Sequence, residues 1–251
     1  MSEAAPGTKR ALDHDAIAKA FDEILAGRAV RRATSDHLIA AYLHGIFPMA
    51  RGRRGPIDWV EPYTRGVFDL EAFHVPKNLA REVKRGRFEI RTDTAFESVL
   101  RACATARGPD NGTWMSETLL EAYLDLFDRG HCHSVEAWLV ERDRTPTADA
   151  SPDTPGRILK QTLVGGLYGV HLGAAFFGES MFSRPDSGGS NASKVCLVHL
   201  VERLRRQGFL LLDAQMTNPH LEQFGLEAMA SEAFHMRLAE ALAVEAAWGV
   251  G

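Results

Sequence analysis

Leu163-Val164-Gly165-Gly166-Leu167-Tyr168-Gly169-Val170-His171-Leu172-Gly173-Ala174-Ala175-Phe176-Phe177 is the densest apolar stretch of the chain, and its reading decides the fold. It falls short of the ~18 unbroken apolar residues that a membrane span needs, and five of its positions are glycine or histidine. The pattern predicts a buried strand over Leu163 to Val170, a turn at His171-Leu172-Gly173 and a second strand over Ala174 to Phe177, together a hairpin. Gly165, Gly166 and Gly169 follow no G-x-G-x-x-G rule. They suit a strand that neighbouring backbone approaches closely, which argues against nucleotide binding there.

Working outward, Ser134 to Val140 predicts a preceding strand, separated from the hairpin by Glu141 to Gly156, whose Pro, Asp and Thr content marks a surface excursion. Upstream of that, Ser116 is placed to cap a helix over Glu117 to Asp128, with Leu120, Leu124 and Phe127 on one face and Gly130 past its end. Phe88 to Arg91 is a strand candidate, and Asp93 or Thr94 can cap a helix running to Ala104. Downstream, a second loop covers Pro185 to Ser190 and Asn191 opens a helix carrying Val195, Val198, Val201 and Leu204 on one side, ended by Gly208. Phe209 to Leu212 is short and wholly apolar, as a buried central strand is, and it delivers Asp213-Ala214-Gln215 at its carboxyl end. Ser231 caps a last helix through Ala243. This order of elements argues for an α+β sheet with helices packed on it, not for a Rossmann unit.

The amino-terminal part differs. Ile17, Ala20, Phe21, Ile24 and Leu25 recur at helical spacing, Ser35 precedes a second helix over Asp36 to His44 closed by Gly45, and Phe47 to Pro62 reads as an irregular loop rich in Pro, Gly and Arg. These features predict a small domain over residues 1–66 that begins with a loose tail, and a larger one over 67–251. With 251 residues, 45 % hydrophobic and 25 % charged, and no internal repeat, the chain excludes wholesale disorder, fibres and solenoids. A start without an apolar signal core, and three cysteines that cannot all pair, predict a reducing, cytoplasmic setting. The net charge of −4 excludes a polybasic protein, yet Arg28, Arg31, Arg32, Arg51, Arg53 and Arg54 face only Asp36 in their window. Any nucleic-acid contact is therefore local; a solvated face is the plain alternative.

Asp213 and Gln215 stand out chemically. Residues two apart on a strand share a face, so a carboxylate and a carboxamide could together accept protons from an attacking amine; a polar strand end bonded to neighbouring loops is the plain alternative. Gly178-Glu179-Ser180-Met181-Phe182-Ser183-Arg184 fails the G-x-S-x-G nucleophile pattern, which leaves Glu179 open as a recognition acid for a cation. His131-Cys132-His133 lacks a second ligand pair at zinc spacing and reads as structural.

The strings Ala41-Tyr42, Gly45-Ile46-Phe47-Pro48, Gly112-Thr113-Trp114, His133-Ser134-Val135-Glu136, Phe177-Gly178-Glu179-Ser180-Met181-Phe182-Ser183, Asn191-Ala192-Ser193-Lys194, and Leu212-Asp213 with Gln215 and His220 resemble, in this order, the leucyl/phenylalanyl-tRNA–protein transferase family. The resemblance runs from about Ser35 to Leu242. It implies a small amino-terminal domain beside a GNAT-like acyltransferase domain, a mixed sheet flanked by helices. It also implies transfer of Leu or Phe, and in some cases Met, from aminoacyl-tRNA to proteins that begin with Arg or Lys, in N-degron-directed degradation. No cofactor or metal is then needed, because the aminoacyl ester is already activated, and a monomer is expected. Gln215 would accept an N–H of the amine, Asp213 would orient it, and Glu179 would hold the cationic acceptor end. Leu167, Phe176, Met181, Leu197, Leu200 and Leu204 would form the side-chain cup, and Trp114 would border the terminal adenosine. Met49 and Val60 stand where the family often carries aromatics, and the loops at 141–156 and 185–190 are longer than the family's. A GNAT-like acyl-CoA transferase and a non-catalytic tRNA-binding protein remain the competing readings; the first lacks its Gly-rich pyrophosphate loop, since Arg184 to Asn191 does not carry that pattern.

Overall fold

The computed structural model describes residues 9–27, 30, 32–105, 113–143 and 156–249. Most of the amino-terminal tail, Arg28, Arg31, Gly112 and most of the excursion at 141–156 lie outside the described residues.

The chain forms an α+β structure built on a seven-stranded mixed sheet. Two helices open it, α1 (His14–Leu25) and α2 (Ser35–Leu43). Helix α2 is buried from Leu38 to Tyr42, which fits its nearly continuous apolar run: a helix apolar all round has neighbours on every side. Phe47 to Pro62 is not an irregular loop. It contains a two-stranded antiparallel hairpin, β1 (Phe47–Ala50) and β2 (Ile57–Val60), whose Gly- and Arg-rich turn hides the short strands from a pattern reading.

Strand β3 (Thr64–Phe68) joins the main sheet, followed by α3 (Lys77–Arg85), β4 (Glu89–Thr92), α4 (Phe96–Thr105), α5 (Glu117–Asp128), β5 (Cys132–Arg142), β6 (Ile158–Leu172) and β7 (Ala175–Ser183). After a 3₁₀ turn at Pro185–Ser187 come α6 (Ala192–Arg206), β8 (Leu211–Asp213), α7 (Pro219–Glu222), β9 (Leu226–Ala230) and α8 (Ser231–Leu242). The sheet order is β4-β5-β6-β7-β8-β3-β9. All neighbours are antiparallel except β7 and β8, which α6 connects as a crossover.

The hairpin read from Leu163 to Phe177 is present as β6 and β7, with Gly173 at the turn in a left-handed conformation, φ 56°. Both strands run longer than the apolar pattern, because their outer halves are flanked by polar residues. Gly165 is required by packing: a Cβ there would lie 2.4 Å from the Cβ of Ala192, so its absence lets α6 seat directly on β6.

One core lies between the sheet and α1, α2, α4, α5 and α8, and includes Leu38, Phe96, Leu119, Tyr123 and Phe234. The other lies between the opposite face and α3 and α6, and includes Leu79, Val195, Leu200 and Phe209. Capping departs from expectation in three places. Ser116 does cap α5, accepting from the Leu119 N–H at 3.3 Å. At α4, however, the buried Glu136 carboxylate accepts the Ala95 N–H at 2.7 Å, while Asp93 turns to the Ser134 N–H. At α6, Asn191 is left-handed and its side chain makes no cap hydrogen bond; Ser183 Oγ accepts from the Ser193 N–H instead. Ser231 is the first residue of α8, with Ala230 in the cap position.

Candidate active site

The parallel strands β7 and β8 are paired only from Ala175–Leu211 to Phe177–Asp213. Beyond that point they part, and a cleft of about 420 Å³ opens in the gap, the usual place for a site beyond the carboxyl ends of parallel strands. Two local backbone features aim polar side chains into it. On β7 the register steps from Gly169–Gly178 to Tyr168–Ser180, so Glu179 is the extra residue of a β-bulge, a device that re-aims a side chain. After β8, Gln215 is left-handed at φ 65°, held by its N–H donating to Asp213 Oδ1 at 2.8 Å and its carbonyl accepting from the Gly66 N–H at 3.0 Å.

Glu179 gathers three donors. Tyr42 O–H donates to Oε1 at 2.6 Å, Gln215 Nε2 donates to the same oxygen at 2.5 Å, and Tyr123 O–H donates to Oε2 at 2.9 Å. The two tyrosine oxygens are 2.8 Å apart. A carboxylate has about four lone-pair sites, so Glu179 keeps one acceptor site, on Oε2. Gln215 spends its amide nitrogen on Glu179, and its carboxamide oxygen has no partner among the described residues. Burial pushes the Glu179 carboxyl up to about 7; the tyrosine hydrogen bonds oppose this, the Asp213 charge adds to it and Arg65 opposes it. Burial, and next the Glu179 charge, hold both tyrosine hydroxyls well above their ordinary value, so they remain donors.

Asp213 and Gln215 do not share a strand face as anticipated. Asp213 ends β8, fully buried, and its carboxylate is gripped by Arg65, Nε to Oδ1 at 2.9 Å and Nη2 to Oδ2 at 2.6 Å. It lines the cleft beside Gln215 and accepts the Gln215 backbone N–H. Arg65 also donates to the Gly45 carbonyl at 2.5 Å and lies between the rings of Phe47 and Phe234.

Of the anticipated cup, Leu167, Met181, Leu197 and Leu200 line the cleft, joined by Phe68, Leu212 and Leu221. Phe176 and Leu204 do not. Both are buried in the core behind it, Phe176 stacked on Trp248 with ring centroids 5.5 Å apart, because they sit nearer the closed end of the β7–β8 pairing. Trp114 also lies outside the cleft lining: it is half-buried against the first core, its carbonyl accepting the Ala50 N–H at 2.8 Å. Met49 and Val60 are paired into the β1–β2 hairpin and pack on that same core.

The basic residues divide. Arg51 is bonded to Asp58 at 2.7 Å and Arg53 lies 3.9 Å from Glu117. A second, polar cavity of about 390 Å³ adjoins the cleft through Lys194 and is lined also by Asn78, Arg81, Arg85, Asn191 and Gln223, with Glu82 as its acid. Helix α3, which supplies Arg81 and Arg85, was absent from the sequence reading, although its Arg and Lys spacing is a visible signal. Arg65, Tyr42 and Tyr123 were missed as site residues; the only clue was a tyrosine amid apolar helix residues, whose hydroxyl must find a partner when buried.

His133 bonds Asp93 at 2.9 Å, and burial, then the neighbouring His133, pushes His171 down to about 3, which keeps His171 neutral. Among the described residues no cluster of His, Cys, Asp or Glu suits a metal ion, and no helix is long and apolar enough to cross a membrane.

Comparison with known proteins agrees with this geometry. A family model described as leucyl/phenylalanyl-tRNA protein transferase matches residues 67–144 and 157–239, passing over a segment that falls within the Glu141 to Gly156 excursion. The model for the N-terminal domain of the same family matches residues 32–62. A leucyl/phenylalanyl-tRNA–protein transferase of Paramagnetospirillum magneticum is 49 % identical over 220 residues, which is 87 % of this chain and 93 % of that protein. The chain therefore belongs to the leucyl/phenylalanyl-tRNA protein transferase family.

Proposed function

We propose that the protein is an aminoacyl-tRNA-dependent transferase that moves Leu or Phe, with Met as a further donor of suitable shape, onto the α-amine of proteins beginning with Arg or Lys, tagging them for N-degron-directed degradation in the cytoplasm. The observation that carries this reading is the pairing of an apolar cup with one buried acid and one carboxamide at its end.

In this reading the donor side chain enters the cup of Leu167, Met181, Leu197 and Leu200, where selection is by shape and worth ~1–3 kcal/mol per misfitted methylene. The acceptor α-amine, with an ordinary pKa of about 7.7–8.0, is partly neutral at working pH. Its nitrogen attacks the ester carbonyl, a C–N bond forms, and the ester C–O bond breaks. The amine gives up one proton and the departing ribose oxygen gains one. Gln215 holds the amine N–H on its free carboxamide oxygen, Glu179 faces the cationic acceptor end, and Asp213 keeps Gln215 in its strained conformation. The basic cavity of Arg81, Arg85 and Lys194 beside the cleft suits tRNA phosphates, which are gripped largely without sequence readout.

The donor class is tested by mass spectrometry of an acceptor peptide that starts with Arg, incubated with Leu-tRNA or with an acyl-CoA. A mass gain of one leucine residue from Leu-tRNA alone supports the reading. Acylation from acyl-CoA, or tRNA binding without any mass gain, contradicts it.

A further inference from the structure

Hydrogen bonds around the cleft close into a ring. Starting at Glu179, Gln215 Nε2 donates to the carboxylate, the Gln215 backbone N–H donates to Asp213, and Arg65 donates to both oxygens of Asp213. Arg65 then turns its third nitrogen to the carbonyl of Gly45. The Gly45 N–H donates to the Tyr42 carbonyl at 3.1 Å, ending α2, and the Tyr42 hydroxyl returns to Glu179. Each arm of the ring is thus fixed to a different part of the fold, Gln215 to the end of β8 and Tyr42 to α2; Glu179 bonds both arms on the cleft side, and Arg65 joins their anchors, Asp213 and Gly45, on the buried side.

We propose that Arg65 is a positioning residue for the transfer reaction, setting the distance between Glu179 and Gln215 by bracing β8 against the carboxyl end of α2. The inference rests on the proposed roles of Glu179 and Gln215. Only a guanidinium has the planar fork to satisfy both Asp213 oxygens and keep a further N–H for Gly45; an ammonium is a point charge and holds fewer of these geometries at once. Phe47 and Phe234 flank the guanidinium at 4.9 and 4.5 Å and fix its plane. A fully buried cation bonded through all three of its nitrogens has little freedom to follow a displaced partner, so a shift in either arm is carried to the other.

The test is Arg65→Lys, which keeps a cation beside Asp213, measured as kcat and KM per folded molecule, with folding checked by thermal melting. The expected result is a fall in kcat of about 10²-fold, the cost of a misplacement near 1 Å, with the KM for aminoacyl-tRNA within about twofold of wild type. Because the positive charge remains, the pH at which activity half-rises stays where it was. Tyr42→Phe opens the ring on its other side, so in that background Arg65→Lys is expected to cost far less than in the wild type. Wild-type kcat in folded Arg65→Lys would overturn the inference, as would costs that simply multiply in the double variant. Absence of transfer by the wild-type protein would instead overturn the proposed function, so the two failures are told apart. If Arg65→Lys fails to fold, the same comparison is made with Gly45→Ala and Tyr42→Phe. Gly45→Ala strains a left-handed turn and crowds His235 and Phe234, moving the Gly45 carbonyl and the ring beside Arg65 without touching Asp213; a lowered kcat that is non-additive with Tyr42→Phe supports the ring, and unchanged or additive kinetics overturn it.

Discussion

Burial holds the Glu179 carboxyl at about 7 while Tyr42, Tyr123 and Gln215 all donate to it, so its charge changes within the working range. Under the proposed roles the charged form faces the acceptor, and transfer should rise as pH passes upward through about 7. The tyrosine hydrogen bonds favour the carboxylate and keep that value from climbing further. Tyr123→Phe should therefore move the rising limb to higher pH, as read from a pH profile of kcat; a limb that stays put would contradict the assignment to Glu179. Stability carries the opposite sign. A carboxyl whose folded pKa is raised above its unfolded value loses stability as pH rises through the folded value, because the charge must then form in a desolvated place. Glu179→Gln should raise the melting temperature relative to wild type at pH 8 and much less at pH 5.

At the scale of elements, α6 has two classes of leucine on one helix. Leu197 and Leu200 line the cleft, whereas Leu204, a turn further on, is sealed in the core. Leu204→Ala should cost about 2–5 kcal/mol in denaturant unfolding and leave the ratio of Leu to Phe transfer unchanged. Leu197→Ala should alter that ratio. Equal effects of the two on selectivity would dissolve the distinction. The same helix shows what sequence can and cannot disclose. Its apolar face, the Ser116 cap of α5 and the Gly173 turn were legible because local periodicity and turn chemistry act within a few residues. The strings that place the chain in its family were legible too. The depth of a residue below a cleft was not: Phe176 and Leu204 look like Leu167 and Leu200 until the parting of β7 from β8 decides which of them meets the opening. Nor was the link from Arg65 to Asp213 legible, since it joins residues 148 positions apart through a sheet pairing that leaves no local pattern.

At the scale of the molecule, the net charge of −4 and the basic wall beside the cleft work together. Under the proposed grip of tRNA phosphates at this wall, Arg81→Ala should weaken tRNA binding across all tRNA sequences and flatten its salt dependence by roughly one unit of slope. The two cores meet at the central sheet, and the proposed chemistry occupies the gap where β7 and β8 part. The most direct test of this account is a transfer assay with purified protein, labelled Leu-tRNA and two proteins differing only in their first residue, Arg or Gly, with wild type set beside Gln215→Ala. Label that becomes acid-stable on the Arg protein alone, requires intact tRNA and is largely lost in Gln215→Ala is the predicted result. Label on both proteins, or undiminished transfer by a folded Gln215→Ala, would contradict it.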